Sequence, residues 1–290
     1  SWVEDKKGKN KFMSLPSLKE LLEAGVHFGH ETKRWNPKMA PYIFTAKERI
    51  HIIDLEKTDA ALQKATDFVR QVGQNNGQIV FLATKRQAAE IVKNEATRVG
   101  AMYMTTRWVG GLFTNFEAVS KTLHKLSELE EKSKDERFTK REQLLMTREI
   151  DKLNRYIGGV RYLQKLPEAI FIVDSHKEVN AVREAQKTGV KIVAIVDTNG
   201  DPTAVDYPIP GNDDAIRAIS ILVKTIADSY LEGREKGEKI EKVIEEEKTE
   251  GGVASETVKE KPKKAPAKKA TEKVVEKKEV KTKGKGESKK

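Results

Sequence analysis

Residues 25–39 hold the densest group of side chains that could bind an anion. The segment reads GVHFGHETKRWNPKM and combines two histidines, two aromatic residues and three cations. Apolar residues that fill a core recur at spacings of 2 or 3.6, and the two aromatic residues here follow neither repeat. Cations position phosphate groups, and aromatic faces can stack on bases. We therefore predict a loop that contacts RNA. Its candidate contact residues are Lys33, Arg34, Trp35, Asn36 and Lys38.

A second segment, residues 105–116, repeats this chemistry. It reads TTRWVGGLFTNF, so an Arg-Trp pair is followed by two glycines that permit close backbone approach. It adds Arg107, Trp108 and Asn115 to the candidate RNA-binding residues. Other roles stay open, because Trp108 could be buried and Trp35 could wedge its loop against the fold. A turn or a helix start explains the two asparagines equally well.

Aspartates at predicted strand ends support an alternative function. Asp174 in VDSHKE, and Asp197 and Asp201 in VDTNGDP, could hold Mg²⁺ or act as acid and base. The same residues suit turns and helix starts, and no activated nucleophile accompanies them. The glycine patterns of dinucleotide and phosphate loops are also missing from the chain. A flavodoxin-like enzyme using Asp174 and Asp197 is therefore the alternative, and RNA binding is preferred.

Histidines offer a possible metal site. His27, His30 and His51 could contribute ligands, but zinc sites favour four ligands, and the chain contains no cysteine and no H-E-x-x-H motif. We predict no metal and no cofactor. At least one of these histidines is expected to be buried and hydrogen-bonded.

The elements that must position these loops alternate between helix and strand. Amphipathic stretches separated by short apolar runs predict a parallel α/β sheet. Residues 207–209 form a candidate fifth strand, at an edge because Pro208 cannot donate a ladder hydrogen bond. Helices are expected at 55–72, 87–99, 179–188 and 215–230, and strands at 79–83, 102–104, 169–173 and 192–196.

Shorter signals complete this pattern. Residues 42–45 and 50–53 predict a small β-hairpin. Ser17 and Glu20 fit a capping box that starts a helix. Further boxes are predicted at 84–87, 114–117 and 175–178.

Residues 114–165 interrupt the alternation. Apolar residues step by 3 and 4 in two stretches, separated by a charged break at 132–137. This spacing predicts an antiparallel coiled-coil hairpin that protrudes from the sheet. The two seams are Phe116, Val119, Leu123 and Leu126, and Met146, Ile150, Leu153, Ile157 and Val160.

Composition bounds the rest of the chain. The formal charge is +10, and residues 233–290 contribute 19 − 13 = +6 of it. This Lys/Glu-rich segment is predicted to be a disordered tail, and residues 1–12 an extension. The absence of cysteine indicates a reducing compartment. No secretory signal and no apolar run of membrane-spanning length is found, so we expect a cytoplasmic protein.

Six segments resemble the family of bacterial small-subunit ribosomal protein S2. They stand in order between Leu21 and Pro202, and the similarity continues to about Glu232. The segments are LLEAGVHFGHETKRWNPKMAPYIF, IHIIDLEKT, FLATKRQA, TRWVGGLFTNF, PEAIFIVDSHKE and AIVDTNGDP.

The resemblance implies both a fold and a function. The fold is a flavodoxin-like three-layer α/β/α sheet at 13–232, with the coiled-coil hairpin inserted at 114–165. The function is that of a structural constituent of the small ribosomal subunit in translation, which binds small-subunit rRNA and supports docking of ribosomal protein S1. Such a protein is ribosome-bound and is not an enzyme. The strand-end acids Asp174 and Asp197 then belong to the fold.

Overall fold

The computed structural model describes residues 15–135 and 137–250. A five-stranded parallel sheet lies at its centre, with the strand order β5-β4-β6-β7-β8. All five predicted strands are confirmed, and the proline-containing strand is at an edge as expected. The strands are β4 (Ile79–Leu82), β5 (Met102–Met104), β6 (Ala169–Ile172), β7 (Lys191–Val196) and β8 (Tyr207–Pro210). The extension at 1–12 and residues 251–290 of the predicted tail at 233–290 lie outside the described residues, while residues 233–250 of that tail are helical.

The central strands are buried on both faces. Every residue of β4 and β6 is buried, as expected for parallel strands that are covered by helices on each side. Successive side chains point to opposite faces, so Phe81 and Phe171 belong to one core cluster while Val80 and Ile170 belong to the other. Burial of each such side chain stabilises the fold by about 1.5–3 kcal/mol.

Helices cover the two faces of the sheet. On one side, α2 (Leu55–Gln74), α3 (Arg86–Arg98) and α7 (Ile216–Glu250) contribute to the first core cluster. On the other side, α6 (Val179–Thr188) contributes Val182 to the second core cluster. This α/β arrangement is compatible with a flavodoxin-like fold. Within the described ranges, no helix is both long and apolar enough to cross a membrane.

Glycines allow α7 to approach α2 closely. A Cβ atom added at Gly73 would lie 2.5 Å from the carbonyl oxygen of Tyr230, and one at Gly233 would overlap the carbonyl oxygen of Arg70. The two backbones are therefore in direct contact at this crossing. The helix also continues to Glu250, so it is longer than the pattern at 215–230 predicts.

A second, antiparallel sheet has the strand order β1-β3-β2. The predicted hairpin is confirmed by β2 (Ile43–Lys47) and β3 (Ile50–Ile53). The strand β1 (Phe28–Glu31) corrects the prediction that the whole of residues 25–39 is a loop. Backbone pairing with β3 creates this strand, although its own sequence has no strand period.

Helix α1 (Leu18–Glu23) begins with the predicted capping box of Ser17 and Glu20. The three boxes predicted at other helix starts are wrong. The hydroxyl groups of Thr84 and Thr114 donate to glutamate side chains instead. Those helices begin after Lys85, Asn115 and Glu178, and a box that was not predicted starts the fifth helix at Thr139.

Two consecutive helices occupy most of residues 114–165. They are α4 (Phe116–Lys132) and α5 (Lys140–Ile157). The α4 seam is buried at Val119, Leu123 and Leu126, and these residues belong to the second core cluster together with Ile157. A Lys125–Glu149 ion pair of 2.6 Å joins the two helices. Their antiparallel coiled-coil geometry stays a prediction.

Candidate nucleic-acid interface

The backbone of residues 25–39 is attached to the end of the central sheet. The amide of Asn36 donates to the carbonyl oxygen of Thr198, which follows β7, at 2.7 Å. The Asn36 side chain accepts from the amide of Lys38 at 3.0 Å and so starts a short 3₁₀-helix, Pro37–Tyr42. Asn36 therefore has a defined role in the fold, as its turn interpretation predicts.

The three cations of this segment differ in their partners. The Lys38 Nζ atom pairs with Asp201 at 2.7 Å and donates to the Thr203 hydroxyl at 2.8 Å. Lys33 and Arg34 are exposed, and neither side chain forms an ion pair with any residue that the structure describes. The charge of Lys38 is thus matched within the fold, while those of Lys33 and Arg34 face solvent.

Trp35 packs against the small sheet and is also partly exposed. Its ring centroid lies 5.3 Å from that of His51, so one part of the indole packs on the small sheet. The residue is still 40% exposed. Both ring nitrogens of His51 are buried without hydrogen bonds, so packing holds the imidazole in place. Trp35 therefore retains an exposed face on a supported ring.

A single carboxylate organises the second segment. Glu184, on α6, accepts from the Trp108 indole N–H at 3.0 Å, the Gly111 amide at 2.8 Å and the Phe113 amide at 3.2 Å. Burial acts to raise the pKa of Glu184, but these donors outweigh burial and lower it. The anchor was not predicted, since it lies on α6, 73 residues from Gly111.

The remaining candidates of the second segment have distinct environments. Trp108 is partly buried and packs edge-on against Phe113 at 5.0 Å, so its buried interpretation describes it better. Arg107 is exposed, with its guanidinium 4.5 Å from the ring centroid of Tyr156. Asn115 is exposed at the start of α4 and makes no side-chain capping bond.

Both segments are anchored in the same part of the fold. Met39 from the first and Leu112 from the second belong to the second core cluster, and Trp108 packs against it. Each segment therefore contributes a buried residue to the core on this face of the central sheet.

A charged cluster lies beside the first segment, where the parallel strands end. Lys85 pairs with Asp174 at 2.9 Å, Asp213 at 2.7 Å and Asp214 at 2.8 Å. Only Asp174 among these was named from the sequence. The others follow β4 and β8, and such residues are recognisable as neighbours only when the strand order is known.

His30 extends this cluster towards β1. Its Nδ1 atom lies 3.0 Å from Asp197, and the hydrogen bond to Asp197 raises the pKa of His30. Burial, together with the nearby charges of Asp197 and Asp174, raises the pKa of Asp213 to about 7. A partly buried lysine, a histidine and several carboxylates thus hold the strand ends together.

The cluster also bears on the two alternatives considered from the sequence. Ligand atoms of His30, Asp197 and Asp213 lie within 4.8 Å of one another, so this set, and not the three histidines, could hold a cation. Asp174 accepts from the Lys177 amide at 2.8 Å, and Asp197 from the Thr198 amide at 2.5 Å. These bonds support the turns that follow β6 and β7.

Comparison with known proteins identifies the family. A model described as ribosomal protein S2 matches residues 21–233. The chain is 48% identical over 248 residues to the small ribosomal subunit protein uS2 of Solidesulfovibrio magneticus, an alignment that covers 84% of this chain and 96% of the relative. The resemblance seen in the sequence is thereby confirmed, and the chain belongs to the ribosomal protein S2 family.

Proposed function

We propose that the chain is a structural constituent of the small ribosomal subunit and binds small-subunit rRNA through its two Arg-Trp segments. Family membership supports the structural role, and it removes the alternative of a flavodoxin-like enzyme. The relative's own name places that protein in the small ribosomal subunit. We expect the protein to act in the cytoplasm, bound to the ribosome.

The observation that carries the RNA proposal is the difference between paired and unpaired cations. Lys33, Arg34 and Arg107 are exposed, and none forms an ion pair in the described part of the chain. Phosphate contacts use such cations to fix a protein on RNA. Lys38 pairs with Asp201, and the Trp108 indole donates to Glu184. In this proposal these two residues stabilise the segments and do not contact phosphate.

Salt dependence tests this proposal directly. We expect Arg34→Ala and Arg107→Ala each to reduce the slope of log affinity against log salt by about 1, since each removes one phosphate contact. The measurement is filter binding to in vitro transcribed small-subunit rRNA across a salt series. Lys19→Ala is the matched control, because Lys19 pairs with Glu23 on α1. Unchanged slopes for both arginine variants would contradict the proposal.

We further propose that the chain supports docking of ribosomal protein S1. The supporting observation is a groove of about 550 Å³ between α1, the small antiparallel sheet and the start of α2. Phe44 on its rim is 75% exposed, and Leu18 and Leu22 are exposed beside it. Exposed apolar side chains in one place are typical of protein contacts.

A competing site for a protein partner is the pair α4 and α5, which we propose forms the protruding antiparallel coiled-coil hairpin. Leu144 and Leu145 are exposed on α5. Binding of purified S1 should decrease for Phe44→Ser and stay unchanged for the double variant Leu144→Ser/Leu145→Ser. The reverse result would assign docking to the hairpin. Both variants should retain the salt slope for rRNA.

A further inference from the structure

The turn between β2 and β3 has an unusual backbone. The hairpin closes on Glu48 and Arg49, whose φ angles are +52° and +68°. A two-residue turn with positive φ at both positions favours Asn-Gly, because a Cβ atom crowds the following carbonyl oxygen there, whereas glycine has no Cβ and asparagine tolerates this conformation. Glu48 and Arg49 have neither advantage, so the turn is strained at both positions. Strained backbone conformations are concentrated at functional sites, so Glu48 and Arg49 are candidates for a functional contact.

Hydrogen bonds bring this turn next to the first Arg-Trp segment. The amide of Thr32 donates to the carbonyl oxygen of Arg49 at 2.8 Å. In the small sheet, Glu31 and Lys47 both pair with Ile50, one from each neighbouring strand. Their backbones are therefore separated by two strand spacings, about 10 Å. Two cation-bearing turns thus share one end of the sheet, and we call their four cations the basic tip: Lys33, Arg34, Lys47 and Arg49.

The basic tip is not neutralised by its surroundings. All four side chains are exposed, and none forms an ion pair with a residue in the described ranges. Glu31 at the end of β1 and Glu48 in the β2–β3 turn are the acidic residues next to these cations, so the local formal charge is 4 − 2 = +2. On α4, by contrast, Lys121 and Lys132 each pair with a glutamate one turn away.

We infer that the basic tip is a clamp for the phosphates of the RNA backbone, with Lys47 and Arg49 as contact residues in addition to Lys33 and Arg34. The inference rests on the proposed rRNA binding and extends it to the β2–β3 turn. A guanidinium can donate two hydrogen bonds to one phosphate. The tight turn fixes the backbone that carries the Arg49 side chain, so less conformational freedom is lost on binding. Backbone contacts of this kind position the protein and are independent of base sequence.

Strain and charge can be separated by substitution. Arg49→Gly suits the turn better and removes one cation, so it should keep or raise the thermal midpoint while reducing the salt slope for small-subunit rRNA by about 1. Arg49→Lys retains the charge and should restore the slope. Glu48→Asn also relieves the turn but leaves Arg49 in place, so its slope should equal that of the native chain.

The outcomes distinguish this inference from the proposal beneath it. If Arg107→Ala reduces the slope while Arg49→Gly and Lys47→Ala leave it unchanged, the clamp is refuted and the proposed rRNA binding stands. If none of the three changes the slope and Arg34→Ala also leaves it unchanged, both are refuted. Loss of crosslinks to a neighbouring ribosomal protein, with the RNA slope intact in Arg49→Gly, would assign the tip to a protein contact and also refute the clamp.

Discussion

Removal of the Glu184 carboxylate should loosen the second Arg-Trp segment. Glu184→Ala would orphan three donors that now bond to it at 3.2 Å or less: the Trp108 indole, the Gly111 amide and the Phe113 amide. Glu184→Gln keeps the shape and one acceptor oxygen but turns an NH₂ group towards these donors. The pair of variants therefore separates loss of all bonds from loss of charge.

The magnitude follows from the number and exposure of the donors. An orphaned buried donor costs about 1–3 kcal/mol, and partial exposure of Glu184 lets water replace part of each bond, so the lower limit applies. Three donors then give a loss of about 3 kcal/mol for Glu184→Ala. Because charge-assisted bonds are roughly twice as strong as neutral ones, Glu184→Gln should lose about 1–2 kcal/mol.

Urea unfolding followed by far-ultraviolet circular dichroism measures both losses. Glu117→Ala is the control, because Glu117 forms only an exposed pair with Lys121 and should change stability by less than about 0.5 kcal/mol. The lowered pKa of Glu184 means that its contribution is present at neutral pH and is lost as pH falls through the folded-state pKa. A Glu184→Ala protein as stable as the control at pH 7 would refute the anchoring role.

Two further predictions concern the strand-end cluster and the helix crossing. The pKa of Asp213 is raised from 3.8 to about 7, so between these pH values the folded protein binds a proton that the unfolded chain has released. The free energy of unfolding should therefore fall as pH rises from 4 to 7. Urea unfolding of Asp213→Asn should show a flatter pH dependence than that of the native chain. An equal slope in both proteins would contradict this. Gly233→Ala should lower the free energy of unfolding by about 1–3 kcal/mol in the same assay, because the new methyl group overlaps the Arg70 carbonyl. Gly110→Ala is the control and should cause no such loss, because there is open space at that position. An equal loss in both variants would contradict the close crossing.

The central sheet could be predicted because its strands carry their own signal. Buried parallel strands are short apolar runs whose burial does not depend on a neighbour's register. The strand β1 carries no such signal, since FGHE becomes a strand only through its pairing with β3. Local sequence therefore predicts the strands of the central sheet, which form because they are buried. It misses β1, which forms because it pairs with β3.

The sequence predicted which residue types form the candidate site, but not which of its cations form ion pairs within the fold. Lys38 and Arg34 are equivalent in the sequence, and what distinguishes them is Asp201, 163 residues from Lys38. In the same way, Lys85 and Asp213 acquire their importance from a strand order that no local pattern contains. Partners that are distant in sequence therefore decide which cations form ion pairs within the described part of the chain.

The crossing of α2 and α7 has a consequence for the order of folding. The first core cluster needs Leu222 and Ile226 from α7 to cover the sheet face that presents Phe81 and Phe171. During synthesis, that face therefore has no complete cover until the chain has been made through Tyr230. Pairings this distant in sequence carry a large loop-closure cost, so we expect this face to be covered late in folding. A chain that stops before α7 is complete would leave part of this apolar face uncovered.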